Sequence, residues 1–518
     1  MPFEFVASEK ITLDYLNSAE ALKQVFRKHF RKPSMRRFKV DREKIVDKLL
    51  SYNRRLNAPE PAIRNIESLS QSDTYAIVTG QQPGIFTGPL YTVYKAISAI
   101  VLCEIMSDEK QSFVPVFWNA SEDDDFSEVD HIVIFRKNEP LGIRYDREMG
   151  GEAFSHMRVD KSELKKILSI VEDVSPNSEF KKPLLKEISM IIQESSTLGD
   201  FFSRLMIHLF GESGLVMIEP QPLRDLMAPI FNRLISRPTE CTQILTEAGH
   251  KLKKLGYPPK IRKKPDICNF FIFDDEGRRL RVTYNGNFQA ANETYSQREL
   301  LRLLEDDPYR FSANAVTRPI TQDFLLPTFA YVAGPNEIAY QAQLKGVYYF
   351  FSLERPVIYP RYGGTVVEKK VSRVLTKYKA QIQELRNPEK LLKRIPKDRV
   401  DDVFSSFKSE VQEGMVEVTR RAESIDQTLK EPCFLARGKI LKTIEGLEDK
   451  VASKLKKKDS IARQQITKAS RNLFPNGDLQ ERQINVLEYL IKFGKEFLKK
   501  VHQDFLEANY GEHRVIEC

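Results

Sequence analysis

One stretch, Tyr75 to Asp125, constrains the fold of this chain more than any other. Tyr75 to Thr79 (YAIVT) is β-branched and aromatic and precedes a glycine, which predicts a short buried strand. From Leu90 the apolar residues recur at three-and-four spacing, and Pro89 stands in the first turn, so a helix is predicted. Phe113 to Trp118 is a second apolar strand pattern. The stretch therefore predicts a βαβ unit of a parallel sheet.

The two strand ends of this unit predict a ligand site. In a βαβ unit the loop after the first strand lies beside the end of the second strand. That loop carries glycine at every fourth position, Gly80, Gly84 and Gly88, and the second strand runs into the acids Glu122 to Asp125. We therefore expect a glycine loop at a helix N-terminus to face an acidic cluster.

Several chemistries fit these residues. GxxxxGK[ST] is absent and the glycine spacing is not GxGxxG, so neither a P-loop NTPase nor a standard dinucleotide enzyme is supported. The glycines could serve tight turns alone, but the hydrogen-bonding side chains of Thr79, Gln81, Gln82 and Thr87 favour ligand contact. The acids could bind Mg²⁺, hold an ammonium group or supply a general base, or they could be solvated loop acids or a helix N-cap. No metal ligands are assigned.

A second strand-loop-helix junction follows later in the chain. Thr328 to Val332 predicts a strand, Ala333 to Asn336 a tight turn, and Glu337 to Phe351 a helix. Val357 to Tyr359 predicts another strand, with Arg361 just beyond it. Two such junctions are typical of the ligand-binding edge of a doubly wound sheet, where helix N-termini point at bound anions.

The remaining patterns divide the chain into regions. Further strands are predicted at His131–Phe135, Gly214–Glu219, Ile267–Phe273 and Arg278–Tyr284, the last two as a hairpin. Residues 1–70 are predicted to be a helical wrapping of the core, and residues 71–364 an α/β core with insertions at about 137–200 and 225–315. From Lys137 to about Thr197 the pattern is charged and helical.

Residues 365–518 are predicted to form a helical arm. Apolar residues from 400 to 429 step by fours and threes, the period of a helix with one buried stripe. Pro432 is expected to break this helix, a second stripe runs to Leu455, and a last helix carries Leu487 to Phe505. Because thin helices with so many apolar positions must pack on themselves or on a second chain, we expect a homodimer.

Charge and cysteine content limit the class of protein. The net charge is +9, and the stretch Arg437 to Arg471 holds eleven Lys or Arg against four Asp or Glu. A solvated helix face explains this better than a docking site for a polyanion, so no nucleic-acid partner is expected. No apolar run is long enough to span a bilayer, and the five cysteines include no CxxC pair. We expect a cytoplasmic, reduced protein without a membrane partner.

Four sequence blocks together resemble the BshC family, the cysteine ligases of bacillithiol biosynthesis. They are VTGQQPGIFTGPLYTVYK, VPVFWNASEDDDFSEVDHI, RPITQDFLLPTFAYVAGPNEIAYQAQL and PVIYPR, in the family's order. The resemblance covers most of the chain. It implies a Rossmann-like parallel-sheet core with connecting-peptide insertions and a C-terminal α-helical coiled-coil domain for dimerisation. It also implies a ligase that adds cysteine to glucosaminyl-malate by an amide bond, the last step of bacillithiol synthesis.

On this basis roles are assigned to individual residues. Glu122, Asp123 and Asp125 are expected to take the amine of glucosamine or cysteine, with Asp123 or Asp125 as the base. The residues expected to contact substrate or nucleotide are Thr79, Gly80, Gln81, Gln82, Thr87, Gly88, Trp118, Asn119, Asn336 and Glu337. Arg318 or Arg361 is expected to meet a malate carboxylate.

Two departures from familiar patterns bear on the chemistry. Asp124 stands where the family usually has histidine, and the HIGH and KMSKS signatures of the related class I synthetases are missing. Joining a carboxylate to an amine in water still needs activation, so ATP or ADP is the suspected cofactor, with Mg²⁺ a further candidate. Its phosphates are expected at the Thr87-Gly88 or Gly334 helix end. The alternatives are a nucleotidyltransferase-like enzyme acting on another substrate and a non-catalytic dimeric adaptor.

Overall fold

The structure is a computed structural model that describes residues 9–26, 29–35, 38, 40–146, 150–458, 460–509 and 512–518. Of these, the side chains of residues 395–402 and 455–458 are not described, so the stripe positions 400 and 455 lie outside the described side chains. No helix in the described ranges is both long enough and apolar enough to cross a membrane.

The described residues form the following strands, in chain order: β1 (Thr74–Gln81), β2 (Ser112–Asn119), β3 (His131–Arg136), β4 (Glu139–Arg144), β5 (Val216–Ile218), β6 (Ile267–Phe273), β7 (Arg279–Tyr284), β8 (Phe288–Ala290), β9 (Glu293–Tyr295), β10 (Phe311–Ala313), β11 (Thr328–Ala333), β12 (Val357–Pro360), β13 (Gly363–Val367) and β14 (His513–Glu517).

The α-helices of the same residues are α1 (Lys10–Leu16), α2 (Glu20–Lys23), α3 (Arg42–Arg55), α4 (Glu60–Ser68), α5 (Leu90–Met106), α6 (Lys161–Val174), α7 (Lys181–Glu194), α8 (Leu198–Phe210), α9 (Arg224–Ser236), α10 (Glu240–Lys254), α11 (Gln297–Asp306), α12 (Arg318–Leu325), α13 (Pro335–Gln341), α14 (Lys345–Phe350), α15 (Lys369–Lys377), α16 (Pro388–Ile425), α17 (Lys430–Lys458), α18 (Ser460–Leu473), α19 (Gln480–Gln483), α20 (Leu487–Phe493) and α21 (Glu496–Leu506).

A five-stranded parallel sheet forms the centre of the fold, in the order β12-β11-β1-β2-β5. The predicted βαβ unit is confirmed as β1, α5 and β2, and β1 pairs with β2 in one unbroken register from Thr74 opposite Ser112 to Gln81 opposite Asn119. A Cβ atom on Gly80 would lie 2.7 Å from the Trp118 carbonyl oxygen. Glycine is therefore required where the two strand ends approach each other.

A second, antiparallel sheet has the order β10-β6-β7-β8-β9 and contains the predicted hairpin, confirmed as β6 and β7. Residues 267–313 thus leave the parallel core and form a separate wall beside it. The Rossmann-like fold class with a helical C-terminal region is confirmed.

The predicted His131–Phe135 strand is confirmed, but it lies outside the central sheet. This strand is β3, and it pairs with β4 in a two-stranded sheet instead of joining the central sheet. The edge of β2 away from β1 is occupied by β5, with Val116 opposite Val216, so no pairing edge remains for β3 there. Strand β4 also lies in the stretch predicted to be only charged and helical, whose remaining part forms α6 and α7.

The helix predicted from Glu337 to Phe351 is interrupted. It consists of α13 and α14, and Gln343 lies between them. The Gln343 side chain accepts from the Ile261 backbone N–H at 2.7 Å and donates to the Ile261 carbonyl at 3.0 Å. These long-range bonds hold the chain at the point where the helix is interrupted.

The chain divides into two compact units: residues 1–137, 141–365 and 481–516 form the first, and residues 138–140, 366–480 and 517–518 form the second. In the second unit α16 and α17 form an antiparallel hairpin, tied by Lys408 to Glu448 at 2.6 Å. The helix predicted over 400–429 ends at Ile425, and Pro432 lies in the first turn of α17, where proline is tolerated.

The last predicted helix was assigned to the arm, but the structure places it in the first unit. It is split into α20 and α21, which pack on α7 and α5. Gly494 separates them with φ +66°, and a Cβ there would lie 2.7 Å from the Phe180 ring. The proposed domain boundaries at residues 70 and 364 stay predictions.

Candidate functional site

A cavity of about 720 Å³ opens at the carboxyl end of the parallel sheet. It lies where the strand order reverses, because β1 leads to β2 on one side and β11 leads to β12 on the other. Ligands of open α/β sheets bind at such a switch point. The lining residues are Gly80, Gln81, Gln82, Tyr91, Lys95, Trp118, Ala120, Glu122, Asp123, Asp124, Glu128, Pro220, Lys263, Phe271, Arg279, Ala313, Asn314, Ala315, Arg318, Gly334, Pro335, Asn336, Glu337, Tyr340, Arg361 and Arg482.

The loop after β2 supplies carboxylates to one side of the cavity. Gln82 Nε2 donates to Asp123 Oδ2 at 2.8 Å, which ties the loop after β1 to the loop after β2. Arg279 reaches in from β7 and lies 3.5 Å from Asp123 Oδ1 and 3.3 Å from Asp124 Oδ1, with its guanidinium over the Phe271 ring. Partial burial raises the pKa of Asp124, although Arg279 opposes the shift. Two carboxylates thus share one cation at the cavity wall.

Glu122 lies deeper and is already paired. Arg224 Nε donates to Glu122 Oε1 at 2.8 Å, and the Ala313 backbone N–H donates to Glu122 Oε2 at 3.3 Å. The Arg224 and Glu122 side chains are 2% and 8% exposed. These bonds join the β2 loop to α9 and β10 and leave Glu122 less available for substrate than Asp123.

A buried lysine joins the two loops on the other side of the switch point. Lys95 Nζ lies 2.8 Å from the Gly80 carbonyl oxygen, 2.9 Å from Gln81 Oε1 and 2.5 Å from Glu337 Oε2. Burial lowers the pKa of Lys95, and Glu337 opposes that shift. Burial would raise the pKa of Glu337, but Lys95 and the hydroxyl of Tyr331 outweigh it and hold it below its ordinary value.

Three further lining cations have no carboxylate partner among the described residues: Arg318, Lys263 and Arg482. Arg318 NH2 donates to the Tyr340 hydroxyl at 2.9 Å, while its buried NH1 has no hydrogen-bond partner. Lys263 Nζ donates to Asn269 Oδ1 at 2.8 Å. Burial, assisted by Arg281, lowers the pKa of Lys263 to about 8. These cations are free to meet an anion.

The cavity is therefore polarised. The side formed by the β2 loop holds three carboxylates, Glu122, Asp123 and Asp124, with two guanidinium groups beside them. The side formed by α5 and the segments around β11 and β12 holds Lys95, Arg318, Arg361 and Arg482 against the carboxylates of Glu337 and Glu481. Such an arrangement fits a ligand with an amine at one end and carboxylate or phosphate at the other.

The structure brings ten of the sequence-predicted site residues to this cavity: Gly80, Gln81, Gln82, Trp118, Glu122, Asp123, Arg318, Asn336, Glu337 and Arg361. Asn336 is exposed at the rim, and its side chain makes no hydrogen bond to the described residues. Glu337 is engaged by Lys95, by the Tyr331 hydroxyl at 2.6 Å and by the Gly334 N–H at 2.7 Å. It therefore shapes the wall more than it offers a contact.

Five predicted site residues do not line the cavity: Thr79, Thr87, Gly88, Asn119 and Asp125. Thr79 donates to the Val332 carbonyl at 3.0 Å and so ties β1 to β11. Asn119 donates to the Gly199 carbonyl and to Ser203 Oγ, both at 2.9 Å, and fixes β2 to α8. Asp125 is exposed and accepts from the Ser127 hydroxyl at 2.8 Å.

The two helix ends expected to hold phosphate are already capped. The Leu90 N–H at the start of α5 donates to the Ile484 carbonyl at 2.9 Å. Asn485 Nδ2 donates to the carbonyls of Phe86 and Gly88, at 2.8 and 2.7 Å. At the start of α13, the Gly334 N–H is taken by Glu337. The Gly88 N–H also donates to the Ile85 carbonyl at 2.9 Å, so the Gly88, Leu90 and Gly334 amides at the expected phosphate positions already have partners within the protein.

The sequence interpretation missed Lys95, Arg279, Lys263 and Arg482. Lys95 stands among apolar residues of α5, the one signal that could have marked it, because a lysine on the buried face of a helix needs partners. Arg279 and Lys263 enter from the insertion, and Arg482 from the segment after α18, so no local pattern relates them to the β1 loop. No three His, Cys, Asp or Glu side chains in the described part of the chain are grouped to hold a metal ion.

Comparison with known proteins agrees with the fold. Residues 2–362 match the family described as "Bacillithiol biosynthesis BshC, N-terminal Rossmann-like domain". Residues 364–518 match the family described as "Bacillithiol biosynthesis BshC, C-terminal coiled-coil domain".

Three relatives, each named "Putative cysteine ligase BshC", are similar over nearly the whole chain. The Salinibacter ruber protein is 35% identical over 489 residues, covering 92% of this chain and 89% of the relative. The Bacillus cytotoxicus protein is 32% identical, covering 93% and 92%. The Desulforamulus reducens protein is 30% identical, covering 91% and 89%. Since both domain families match and the similarity spans both, this chain belongs to the BshC family of bacillithiol biosynthesis.

Proposed function

We propose that this protein ligates cysteine to glucosaminyl-malate, forming the amide bond of bacillithiol in the last step of its synthesis. The observation that carries the proposal is the polarised cavity at the switch point of the sheet. The two substrates bring amines and carboxylates, and the cavity offers the carboxylates of Asp123 and Asp124, which share Arg279, on one side and the cations Arg318 and Arg482 on the other. The relatives' name, cysteine ligase, supports the same reaction class.

The amine is proposed to bind at Asp123 and Asp124. Among the described residues, Arg279 is the cation that both carboxylates share, at 3.5 and 3.3 Å, so the cluster keeps a net negative charge that a substrate ammonium can balance. In the reaction, the glucosamine nitrogen attacks the cysteine carbonyl carbon, the new C–N bond forms, and the activated oxygen leaves. Before the attack the bound ammonium loses one proton, for which Asp123, held by Gln82, is the proposed acceptor, and after the attack the second proton leaves the nitrogen with the departing oxygen.

The malate part is proposed to bind at Arg318. Arg361, the other sequence candidate, already donates to Glu481 at 2.5 and 3.1 Å, and its side chain is 6% exposed. Among the described residues the Arg318 guanidinium has no carboxylate partner and its buried NH1 has no hydrogen-bond partner, and Arg318 lines the cavity. A guanidinium of this kind recognises a carboxylate through two parallel hydrogen bonds.

Activation of the cysteine carboxylate is proposed to come from ATP. The capped starts of α5 and α13 make these helix ends poor phosphate sites, whereas Lys263 and Arg482 line the cavity and have no carboxylate partner in the described ranges. These two cations are the residues that would hold a phosphate. The nucleotide would convert the carboxylate into a better acyl donor, and any Mg²⁺ would come with its phosphates, since Asp123 and Asp124 already share Arg279.

We further propose that the arm pairs with a second copy of the chain. Large apolar residues of α16 and α17 are exposed in the described arm: Val403, Phe407, Val416, Val418, Ile425, Phe434, Leu435, Ile440 and Leu447. A long hairpin that leaves such residues in water is typical of a coiled-coil interface. Sedimentation should give the mass of two chains, and Phe407→Glu with Leu435→Glu should give one, whereas Ser409→Glu on the same helix should leave the dimer intact.

The reaction is tested by incubating the purified protein with cysteine, glucosaminyl-malate, ATP and Mg²⁺ and measuring bacillithiol by mass spectrometry. Product that depends on all three organic reactants supports the ligase. Consumption of ATP with a different acyl or nucleotidyl product would favour a nucleotidyltransferase-like enzyme. If neither cysteine nor glucosaminyl-malate binds, the ligase proposal fails and the adaptor alternative is favoured.

A further inference from the structure

The ammonium group of Lys95 has three acceptor oxygens, one for each of its hydrogens. Its side chain is 4% exposed, and three oxygens surround the ammonium group at 2.5 to 2.9 Å. Two of them, the Gly80 carbonyl and Gln81 Oε1, belong to the end of β1, and the third, Glu337 Oε2, belongs to α13. An ammonium group that donates all three hydrogens and is paired with a carboxylate is a poor nucleophile or base. We therefore infer that Lys95 acts by orienting the groups that accept its hydrogen bonds.

Lys95 fixes the orientation of the Gln81 side-chain amide. A lysine ammonium can only donate, so the Gln81 atom that faces it must be the carbonyl oxygen. The NH2 group of Gln81 is consequently turned away from Lys95. This Nε2 has no hydrogen-bond partner among the described residues, and Gln81 lines the cavity. Its backbone is fixed as well, because the Gln81 carbonyl accepts from the Ala120 N–H at 2.9 Å.

We propose that Lys95 is a positioning residue that presents the Gln81 NH2 group to the acyl carbonyl oxygen of the substrate. This inference rests on the proposed ligation. As the amine attacks, the carbonyl C=O electrons move onto oxygen, and the Gln81 N–H donates a hydrogen bond to the developing negative charge. When the leaving oxygen departs, the C=O bond re-forms. Gln81 gives up no proton at any stage.

The position of Gln81 is consistent with this role. It is the last residue of β1, directly opposite Asn119 of β2, and is followed by Gln82, whose amide holds the proposed base Asp123. The donor and the base therefore extend from consecutive residues of one strand end. A donor fixed before the reaction stabilises the transition state without reorganisation, which is why such donors affect turnover more than binding.

The test compares Gln81→Glu with the wild-type protein. Glutamate keeps an oxygen for Lys95 but replaces the NH2 donor by a second oxygen, so the fold is retained and the donor is lost. We expect an unchanged melting temperature, a KM within about twofold for both substrates and a kcat lower by roughly 10²- to 10³-fold. Gln71→Glu makes the same change on an exposed loop and should leave all three values unchanged.

A double-mutant cycle separates positioning from support of the fold. Lys95→Met should lower kcat because the Gln81 amide is no longer oriented. Gln81→Glu should lower kcat much less in the Lys95→Met protein than it does in the wild-type protein. Additive losses would overturn the positioning role. Wild-type kcat in Gln81→Glu would overturn the donor role even if Lys95→Met failed to fold.

Binding of bacillithiol itself distinguishes failure of this inference from failure of the ligase proposal. Trp118 is the chain's single tryptophan and lines the cavity, so its fluorescence reports binding without turnover. The wild type should bind the product, and Gln81→Glu should bind it up to about tenfold more weakly, since one hydrogen bond to its amide carbonyl is lost. Product binding with normal Gln81→Glu turnover overturns only the present inference. If the wild type binds neither product nor glucosaminyl-malate, both proposals fall.

Discussion

Arg361 and Glu481 form a buried ion pair although 120 residues separate them in sequence. Arg361 NH2 lies 2.5 Å from Glu481 Oε1, and NH1 lies 3.1 Å from Oε2, while the Gly364 N–H also donates to Oε2 at 3.2 Å. Burial would raise the pKa of Glu481, but Arg361 outweighs it and holds it below its ordinary value. The pair fixes the segment that carries Arg482 to the end of β12.

Glu481→Gln is predicted to destabilise the protein. Removing one charge of a buried pair leaves the other uncompensated, at a cost of about 3–5 kcal/mol, so the melting temperature should fall by several degrees. Arg361→Met combined with Glu481→Leu should lose less than either single change, because no unpaired charge is left. Melting temperatures equal to that of the wild type in both single variants would contradict the structural role of the pair.

Gln82→Ala and Asp123→Asn are predicted to abolish bacillithiol formation while the protein stays folded. Asp123→Asn removes the proposed proton acceptor but keeps an oxygen for Gln82, and Gln82→Ala removes the donor at 2.8 Å that orients the carboxylate. We expect turnover to fall by at least about 10²-fold in each case. Melting curves serve as the control. Normal turnover in both variants would show that the site lies in another crevice.

Arg318→Ala is predicted to raise the KM for glucosaminyl-malate more than it lowers kcat. Loss of a charged hydrogen bond costs about 1.5–3 kcal/mol, which corresponds to roughly 10- to 100-fold. Arg318→Lys should recover only part of this, because lysine lacks the planar fork. Arg302→Ala on the exposed face of α11 is the matched control. An unchanged KM in Arg318→Ala would remove Arg318 from the malate site.

Lys263 predicts a pH dependence of anion binding. Burial lowers the pKa of Lys263 to about 8, so its ammonium is charged at neutral pH and loses the proton as the pH rises through 8. Affinity for ATP, whose phosphate Lys263 is proposed to hold, should fall between about pH 7 and 9 when it is measured by Trp118 fluorescence. Lys263→Arg should keep its affinity through this pH range. Lys263→Met should bind weakly, with an affinity that does not change with pH. A wild-type affinity that does not change with pH would contradict a role for Lys263.

The lowered pKa of Lys263 also affects the stability of the fold, which should rise with pH where anion binding weakens. The folded protein disfavours the charged form of Lys263 relative to an unfolded chain, whose lysine titrates near 10.5. The resulting penalty is complete below about pH 8 and fades as the pH rises toward 10.5. Lys263→Met should therefore raise the melting temperature at pH 7 more than at pH 10.

The sequence predicted those parts of the fold that depend on local pattern. The β1, α5 and β2 unit, the β6-β7 hairpin and the long helices of the arm all have clear periods, and all are present. The sheet to which the His131–Phe135 strand belongs could not be predicted from local pattern. It depends on β5 occupying the edge of β2, a pairing of residues a hundred positions apart.

The site was predictable only where it follows a strand end directly. Gln81, Gln82 and Asp123 reach the cavity because the ends of parallel strands meet at one edge. Thr87 and Gly88 do not, because Asn485 and Ile484 cover the start of α5 from a distant part of the chain. The side chains that set the charge of the cavity, Lys95 and Arg279 among them, owe their position to tertiary packing that no local pattern records.

The proposed ligation of cysteine to glucosaminyl-malate is tested most directly by mass spectrometry of thiols and their precursors in cells that lack this gene. We expect accumulated glucosaminyl-malate and missing bacillithiol, both reversed by a plasmid carrying the wild-type gene and neither reversed by one carrying Asp123→Asn. Unchanged bacillithiol in the deleted cells, or full reversal by Asp123→Asn, would contradict it.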